Sequence, residues 1–529
     1  MGQPTKQLFR GALLLTVAGI VSKCISAGYR IPLQNITGDL GFYMYQQVYP
    51  ILGIALTLSL YGFPAAISQL VANLQEEEKS LSVNGFYLPL TALLFFINGL
   101  LFLFLYLGAE HIAAWMGDVH LSPAFRLSAF TFLLIPFTSL FRGISQGMND
   151  MRPTAISQVL EQITRVTVIL FFSIVVVQSN GDLYGVAKGA GVGAIVAAGI
   201  SATWLGWTWM KSIPTLTWQK VSFSWRKYSK VIFGYGFFIC LNYMMLLLLQ
   251  LSDALNVVNG LLDFGYSLLE AKEWKGVLDR GYPLVQLGTV LGSSLALALI
   301  PSVTQKRYQR APASFRLHME SALRFSIYIS AACSVGLMTI MPLANQVLYE
   351  TNEGVHSLQL LSFTIFFAST ALTASSILQG LGYVYRTAIF VLFAFLVKFG
   401  GNELLIPEFG IMGAALATII SVLILCAINV FVLKQKVKGI RPFPIPLFRF
   451  MISLLVMTGF VISMNQLYAY SSFLNSRIET ALFVGIICVL AGCLYVILLI
   501  RLRAFKEEDL RELPFADLLI EIQRWRFRP

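Results

Sequence analysis

Ionisable side chains inside apolar runs are where this chain can do chemistry, because a charge at membrane depth is costly and is usually kept for a function. Lys23 and Arg30 lie in the first such run. Their spacing is about two helical turns, so they are expected to share a face. Both then point into a central space, or Arg30 snorkels to the outer interface. Arg280 opens a later run beside Tyr282 and Pro283, where the first half of the chain has Gln47. Asp253, between Gln250 and Asn256, is the carboxylate among these cations. It is open to three readings: a partner for Arg30 or Lys23, a coupling-cation ligand, or a loop-edge carboxylate. Glu161 and Arg165 stand one turn apart and can neutralise each other, as a structural pair or as a gate. Lys398 and Lys188 read as snorkelling residues. Lys23, Arg30 and Arg280 against Asp253 make a positively biased site, and clustered cations in a dry place favour an anion, phosphate above all. A drug-cation exporter is expected to show the reverse bias.

Enzyme chemistry is not visible. His111, His120, His318 and His356 lie in loops or at span ends, with neither HExxH nor paired-carboxylate spacing. No Walker A sequence is present. The expectation is a chain without catalytic residues, metal or cofactor, driven by a Na+ or H+ gradient, the membrane potential, or the substrate's own gradient.

The elements that must position these residues are long apolar helices. The chain has 529 residues, 57% hydrophobic and 12% charged, with a mean hydropathy of +0.73. Soluble domains carry about 25% charged residues, so this composition belongs to a membrane protein. The net charge of +12 points to Lys and Arg gathered in cytoplasmic loops rather than to nucleic acid. The six cysteines sit in apolar runs and read as small buried hydrophobes. Apolar runs of spanning length recur about fourteen times, at about twenty residues each, near 8–30, 42–72, 85–108, 124–146, 155–178, 184–210, 229–253, 279–302, 322–348, 357–381, 384–404, 409–433, 446–468 and 480–502. Lys and Arg concentrate in alternate loops, Arg142 and Arg152 among the inner ones, which predicts an even count and both termini in the cytoplasm.

The chain is doubled. QGMNDMRPTAI at Gln146–Ile156 returns as QGLGYVYRTAI at Gln379–Ile389, a shift of 233 (379 minus 146). Tyr49-Pro50 returns at the same shift as Tyr282-Pro283. An even number of spans per half makes the repeat parallel. The expected division is an N-terminal six-helix lobe at 1–210, a basic cytoplasmic linker at 211–230, a second six-helix lobe at 231–434, two added spans at 435–503, and a basic amphipathic tail at 504–529. In that tail Phe515, Leu518, Leu519, Ile522 and Trp525 fall at helical spacing, as in an interfacial helix. Pro50, Pro64, Pro283, Gly143 and Gly147 are expected flexing points, with the two prolines kinking the long second run.

Gln146–Val166 (QGMNDMRPTAISQVLEQITRV), Gly11–Leu33 (GALLLTVAGIVSKCISAGYRIPL) and the doubled layout with two added spans resemble the polysaccharide-transporter branch of the multidrug/oligosaccharidyl-lipid/polysaccharide (MOP) flippase superfamily. Within it the likeness is to stage V sporulation protein B-like proteins, relatives of MurJ-type lipid II flippases. The resemblance implies an all-α polytopic protein with two lobes in a V, a central cavity and alternating access. It implies transfer of an undecaprenyl-pyrophosphate-linked saccharide between leaflets. Cavity arginines come from the first, second and eighth spans in MurJ-type proteins, and Arg30 and Arg280 stand at the first- and eighth-span places, with Lys23 beside them. The second span departs from that pattern, having Gln46 and Gln47. The two added spans match a pair that forms a lipid-tail groove.

The leading expectation is a lipid-linked oligosaccharide flippase of the bacterial plasma membrane. Its partners would be that substrate, membrane lipids and cell-wall synthesis enzymes. The alternatives are a cation-coupled multidrug exporter using Asp253 or Glu161, and a scaffold recruiting synthetic enzymes.

Overall fold

The computed structural model describes residues 3–76, 81–212, 224–298, 312–470, 476–510 and 516–524. Their helices, in chain order, are α1 (Gln3–Gly28), α2 (Arg30–Thr57), α3 (Phe63–Glu76), α4 (Leu88–Trp115), α5 (Ser122–Ala129), α6 (Thr131–Gly147), α7 (Arg152–Gln178), α8 (Tyr184–Ser212), α9 (Trp225–Ser229), α10 (Phe237–Tyr243), α11 (Met245–Phe264), α12 (Leu268–Asp279), α13 (Gly281–Ala298), α14 (Pro312–Tyr349), α15 (Val355–Leu361), α16 (Phe363–Gly380), α17 (Val384–Phe409), α18 (Ile411–Lys436), α19 (Leu447–Tyr470), α20 (Arg477–Arg501), α21 (Glu507–Leu510) and α22 (Ala516–Arg524). No strand occurs among the described residues. Twelve segments among them are long and apolar enough to cross a membrane, against the fourteen expected. The first, Leu14–Glu76, has 63 residues, far more than the roughly twenty a crossing needs. The expected span 279–302 runs past the described part of α13.

That first segment breaks within the gap expected between the runs 8–30 and 42–72. Tyr29 is αR and accepts the Leu33 N–H at 3.0 Å, so α1 runs into α2 through Arg30. The break falls at Gly38, with φ 66° and ψ −176°, a conformation that glycine adopts at little cost. Pro50 lies inside α2 without a non-helical residue beside it. Before Pro64 the chain widens into a π turn at Leu58–Gly62, the adjustment expected where proline lacks the N–H that would close the preceding turn. Pro283 sits in the first turn of α13, where a missing N–H costs nothing.

The structure carries the repeat in its turns. After α6, Asn149 is left-handed at φ 63°. Its N–H donates to Gln146 O at 3.0 Å, and that of Asp150 to Ser145 O at 2.9 Å. After α16, Gly382 is left-handed at φ 93°. Its N–H donates to Gln379 O at 2.9 Å, and that of Tyr383 to Leu378 O at 2.9 Å. Asn149 and Gly382 differ by the same 233 (382 minus 149), and so do the left-handed Gly117 and Glu350 (350 minus 117).

By packing, the chain forms two compact units: Met1–Asp279 with Val384–Gly410, and Arg280–Tyr383 with Ile411–Pro529. In the first, α6 meets α3 closely. A Cβ on Gly143 would lie 2.5 Å from Ile67 Cβ, and one on Gly147 2.6 Å from Val71 Cβ. These glycines let two helices approach, as small residues do in membrane bundles. In the second unit the added α19 and α20 pack on α14 through Phe325, Tyr328, Phe450, Met457, Tyr495 and Leu499. The tail is docked on this core: Leu519 and Ile520 pack against it, and Gln523 Nε2 donates to Phe505 O at 2.9 Å. An interfacial role was expected for this helix, yet part of its apolar face is used internally. Phe515 and Trp525, and the side chains of Leu518 and Ile522, lie outside the described residues. Three cysteines, Cys24, Cys488 and Cys493, are exposed on their helices, while Cys240 and Cys426 are buried.

Candidate functional site

Arg30 is fully buried. By geometry its Nε, Nη1 and Nη2 make no hydrogen bond among the described residues, although the Tyr29 phenol oxygen stands close enough to interact with the guanidinium. Its guanidinium carbon lies 3.9 Å from the centroid of the Tyr49 ring. Tyr45 packs edge-on to Tyr29 at 6.0 Å and tilted to Tyr49 at 5.8 Å. The Tyr29 and Tyr45 hydroxyls are hydrogen-bonded to each other. Ring faces attract a cation, but a guanidinium has five N–H donors and needs lone pairs to meet them. A buried charge with no acceptor costs several kcal/mol, and the rings around Arg30 offer it π faces and few lone pairs.

Glu161 was expected to pair with Arg165, one turn away on α7. It does so, with Arg165 Nη2 donating to Oε1 at 2.7 Å, but its other oxygen accepts from Arg142 Nη2, also at 2.7 Å. The pair is a triad. Arg142, counted from sequence among the cytoplasmic positive charges, is fully buried. It donates to Ser157 Oγ at 3.0 Å, Ser59 Oγ at 2.7 Å and Ser201 Oγ at 2.8 Å. One guanidinium on α6 thus ties together the π turn, α7 and α8. Arg165 is less satisfied: Nη1 reaches Gln162 Oε1 at 3.4 Å, and Nε has no acceptor among the described residues.

Asp253 on α11 meets neither Arg30 nor Lys23 in an ion pair. Its Oδ1 accepts from Lys398 Nζ at 2.6 Å, with both side chains fully buried. Asn402, one turn beyond Lys398 on α17, accepts from Lys398 Nζ at 2.9 Å. Its Nδ2 donates to Asp253 Oδ1 at 2.7 Å and to Asn256 Oδ1 at 2.8 Å. The snorkelling expected of Lys398 is therefore wrong, because its ammonium points into the unit at a carboxylate. Lys188 is exposed. A second buried pair lies on α12, where Lys275 Nζ reaches Asp279 Oδ1 at 2.5 Å. The Asp279 carboxylate is within Coulombic range of both Asp253 and Arg30. Asp118 forms a third group, accepting from Tyr184 OH at 2.8 Å and Tyr43 OH at 3.3 Å and pairing with Lys272 at 2.8 Å.

Lys23 has an accessible side chain, whereas that of Arg30 is buried. Arg280, at the head of α13 in the second unit, is 1% exposed. Its guanidinium carbon is 5.5 Å from the Tyr349 ring, and Tyr349 OH donates to its carbonyl at 2.9 Å. Sequence reasoning missed Arg142, Lys275, Asp279 and the role of Lys398. The available signal was the set of small hydroxyls, Ser59, Ser157 and Ser201, each within an otherwise apolar run.

Membrane-length helices in repeated halves define a multi-pass membrane protein, and solved structures that include a MOP superfamily member share its fold. The chain is similar to the solved inward-closed structure of the lipid II flippase MurJ, with TM-score 0.65 and 13% identity, covering 91% of this chain and 98% of that one. It is also similar to an inward-facing MATE-family multidrug resistance transporter of the MOP superfamily, with TM-score 0.63 and 14% identity, over 81% and 98%. The chain belongs to the polysaccharide biosynthesis protein family, whose model matches residues 8–306. Among relatives from Bacillus subtilis (strain 168), the uncharacterized membrane protein YabM is 36% identical over 98% of this chain and 97% of its own. Stage V sporulation protein B is 26% identical over 97% and 99%, and lipid II flippase MurJ 21% over 93% and 94%.

Proposed function

We propose that this transporter flips an undecaprenyl-pyrophosphate-linked oligosaccharide, a cell-wall or polysaccharide precursor, from the inner to the outer leaflet. The observation that carries the reading is Arg30, a buried guanidinium on an aromatic face whose donors make no hydrogen bond by geometry among the described residues. Phosphate oxygens supply what that group needs, in charge and in paired lone-pair geometry. The relative named lipid II flippase MurJ and the polysaccharide biosynthesis protein family support the same substrate class. Lys23, exposed on α1, is proposed to meet the headgroup on its way to Arg30. Arg280 is proposed as a further phosphate contact, tested separately. Asp253 sets charge balance through Lys398 rather than touching phosphate.

Transport runs by alternating access of the lobes 1–210 and 231–434 about Pro50, Pro64, Pro283 and the Gly143–Gly147 segment, with Glu161–Arg165 at the gate. A Na+ or H+ gradient or the membrane potential drives it. The protein works in the bacterial plasma membrane with both termini in the cytoplasm, beside cell-wall synthesis enzymes. A cation-coupled exporter would need an available carboxylate. Asp253 is held by Lys398, and Glu161 by Arg142 and Arg165, which weighs against that alternative.

The test is a flipping assay in vesicles carrying a lipid-linked saccharide, with Arg30→Ala and Arg280→Ala. Loss of a charge-assisted contact is expected to slow transport about tenfold or more in each. Full activity in both would overturn the reading.

A further inference from the structure

We infer that Arg165 is a second anion-binding arginine and that, with Arg30, it forms a site matched to a diphosphate rather than a monophosphate. This rests on the pyrophosphate reading above and adds to it a residue and a selectivity.

Four observations converge on Arg165. It is on the buried face of α7 with Gln158, Glu161 and Gln162, and α7 packs along α1. A Cβ on Gly11 would meet Met151 and one on Gly19 would meet Gln158, so α1 and α7 run in parallel and Arg165 comes about one turn short of the level of Arg30. Arg165 has Nε without an acceptor among the described residues and only a 3.4 Å contact for Nη1. Its one short bond goes to a carboxylate that it shares with Arg142.

That sharing decides the charge. Asp253 and Asp279 are each matched by a buried lysine, so Arg30, Arg142 and Arg165 set three further positive charges against the carboxylate of Glu161, leaving two over. A diphosphate esterified at both ends carries one negative charge on each phosphorus, so it matches this excess, whereas a single phosphodiester leaves one cation unmet. Arg142 is saturated by three serine hydroxyls and Glu161, which leaves Arg30 and Arg165 as the two guanidiniums with donors to offer. Glu161 then holds Arg165 in place without satisfying it.

The full-length protein, purified in detergent, is titrated with farnesyl diphospho-N-acetylglucosamine, a diphosphate esterified at both ends, and with farnesyl phospho-N-acetylglucosamine, the corresponding monophosphate diester. Wild type is expected to favour the diphosphate by about tenfold, the scale of one charge-assisted hydrogen-bonded contact. Arg165→Gln is expected to lose that preference while keeping most monophosphate binding, and Arg30→Gln to weaken both probes. In Arg165→Gln the Glu161–Arg142 bond remains, so the fold keeps its buried pair. Should that variant not fold, Arg165→Lys is compared, and a single ammonium in place of a planar fork is expected to reduce the preference several-fold. Wild-type preference in the folded Arg165 variant would overturn the inference while the loss in Arg30→Gln leaves the pyrophosphate reading standing. Failure of wild type to bind either probe would overturn both.

Discussion

At the scale of single residues, depth was legible and partners were not. An arginine or aspartate in an apolar run announces itself, and Arg30, Glu161, Arg165 and Asp253 were all found that way. Which opposite charge each would meet depends on helices distant in sequence. Arg142 looked like a cytoplasmic charge because it stands just before a polar turn, yet its buried guanidinium is bonded to three serines and a glutamate. Replacing Arg142 with Met is expected to cost about 3–5 kcal/mol, since it leaves Glu161 with one cation and strips three serines of their donor. Thermal unfolding in detergent measures this, and an unchanged midpoint would rule it out. Lys398 behaves alike. Lys398→Met strands the Asp253 carboxylate and is expected to destabilise by a similar amount, roughly 3–5 kcal/mol, while Lys398→Met with Asp253→Asn recovers most of it. If the double variant is no more stable than the single, the pair is not what holds α11 to α17.

At the scale of elements, the helices followed from apolar run length, but the effect of their prolines did not. Two prolines were expected to kink the second run. Pro50 passes inside α2 and Pro64 follows a π turn, while the break at Gly38 falls in the gap expected before that run. Proline only removes a hydrogen bond, which a wider turn can absorb, whereas a left-handed residue redirects the chain. Gly143 and Gly147 were read as flexing points, and the structure gives them a packing reason that sequence alone could not supply, because it depends on Ile67 and Val71 of α3. Gly143→Ala places a Cβ 2.5 Å from Ile67 Cβ and is expected to cost about 1–3 kcal/mol by overpacking. The measurement is the unfolding midpoint of Gly143→Ala against Gly99→Ala, whose added Cβ meets nothing within 4 Å. Equal midpoints would mean that α3 and α6 do not need their close approach.

At the scale of the whole molecule, composition fixed the class, and the eleven-residue echo between Gln146–Ile156 and Gln379–Ile389 exposed the doubling. The structure returns that echo as two turns with matching hydrogen bonds and left-handed residues 233 apart (382 minus 149). Packing was not legible in the same way. The compact units cut across chain order, with Val384–Gly410 joining the first, because contacts reflect a conformation while a repeat reflects history. Similarity to flippases and to multidrug transporters alike leaves the cargo to the site, and the site's distinguishing feature is an arginine short of acceptors. Native mass spectrometry of the protein extracted from bacterial membranes, wild type beside Arg30→Ala, addresses this most directly. The account predicts a co-purifying polyprenyl lipid that carries a diphosphate-linked saccharide on wild type and is lost from Arg30→Ala. The same lipid retained in full by Arg30→Ala, or only ordinary phospholipids on both, would contradict it.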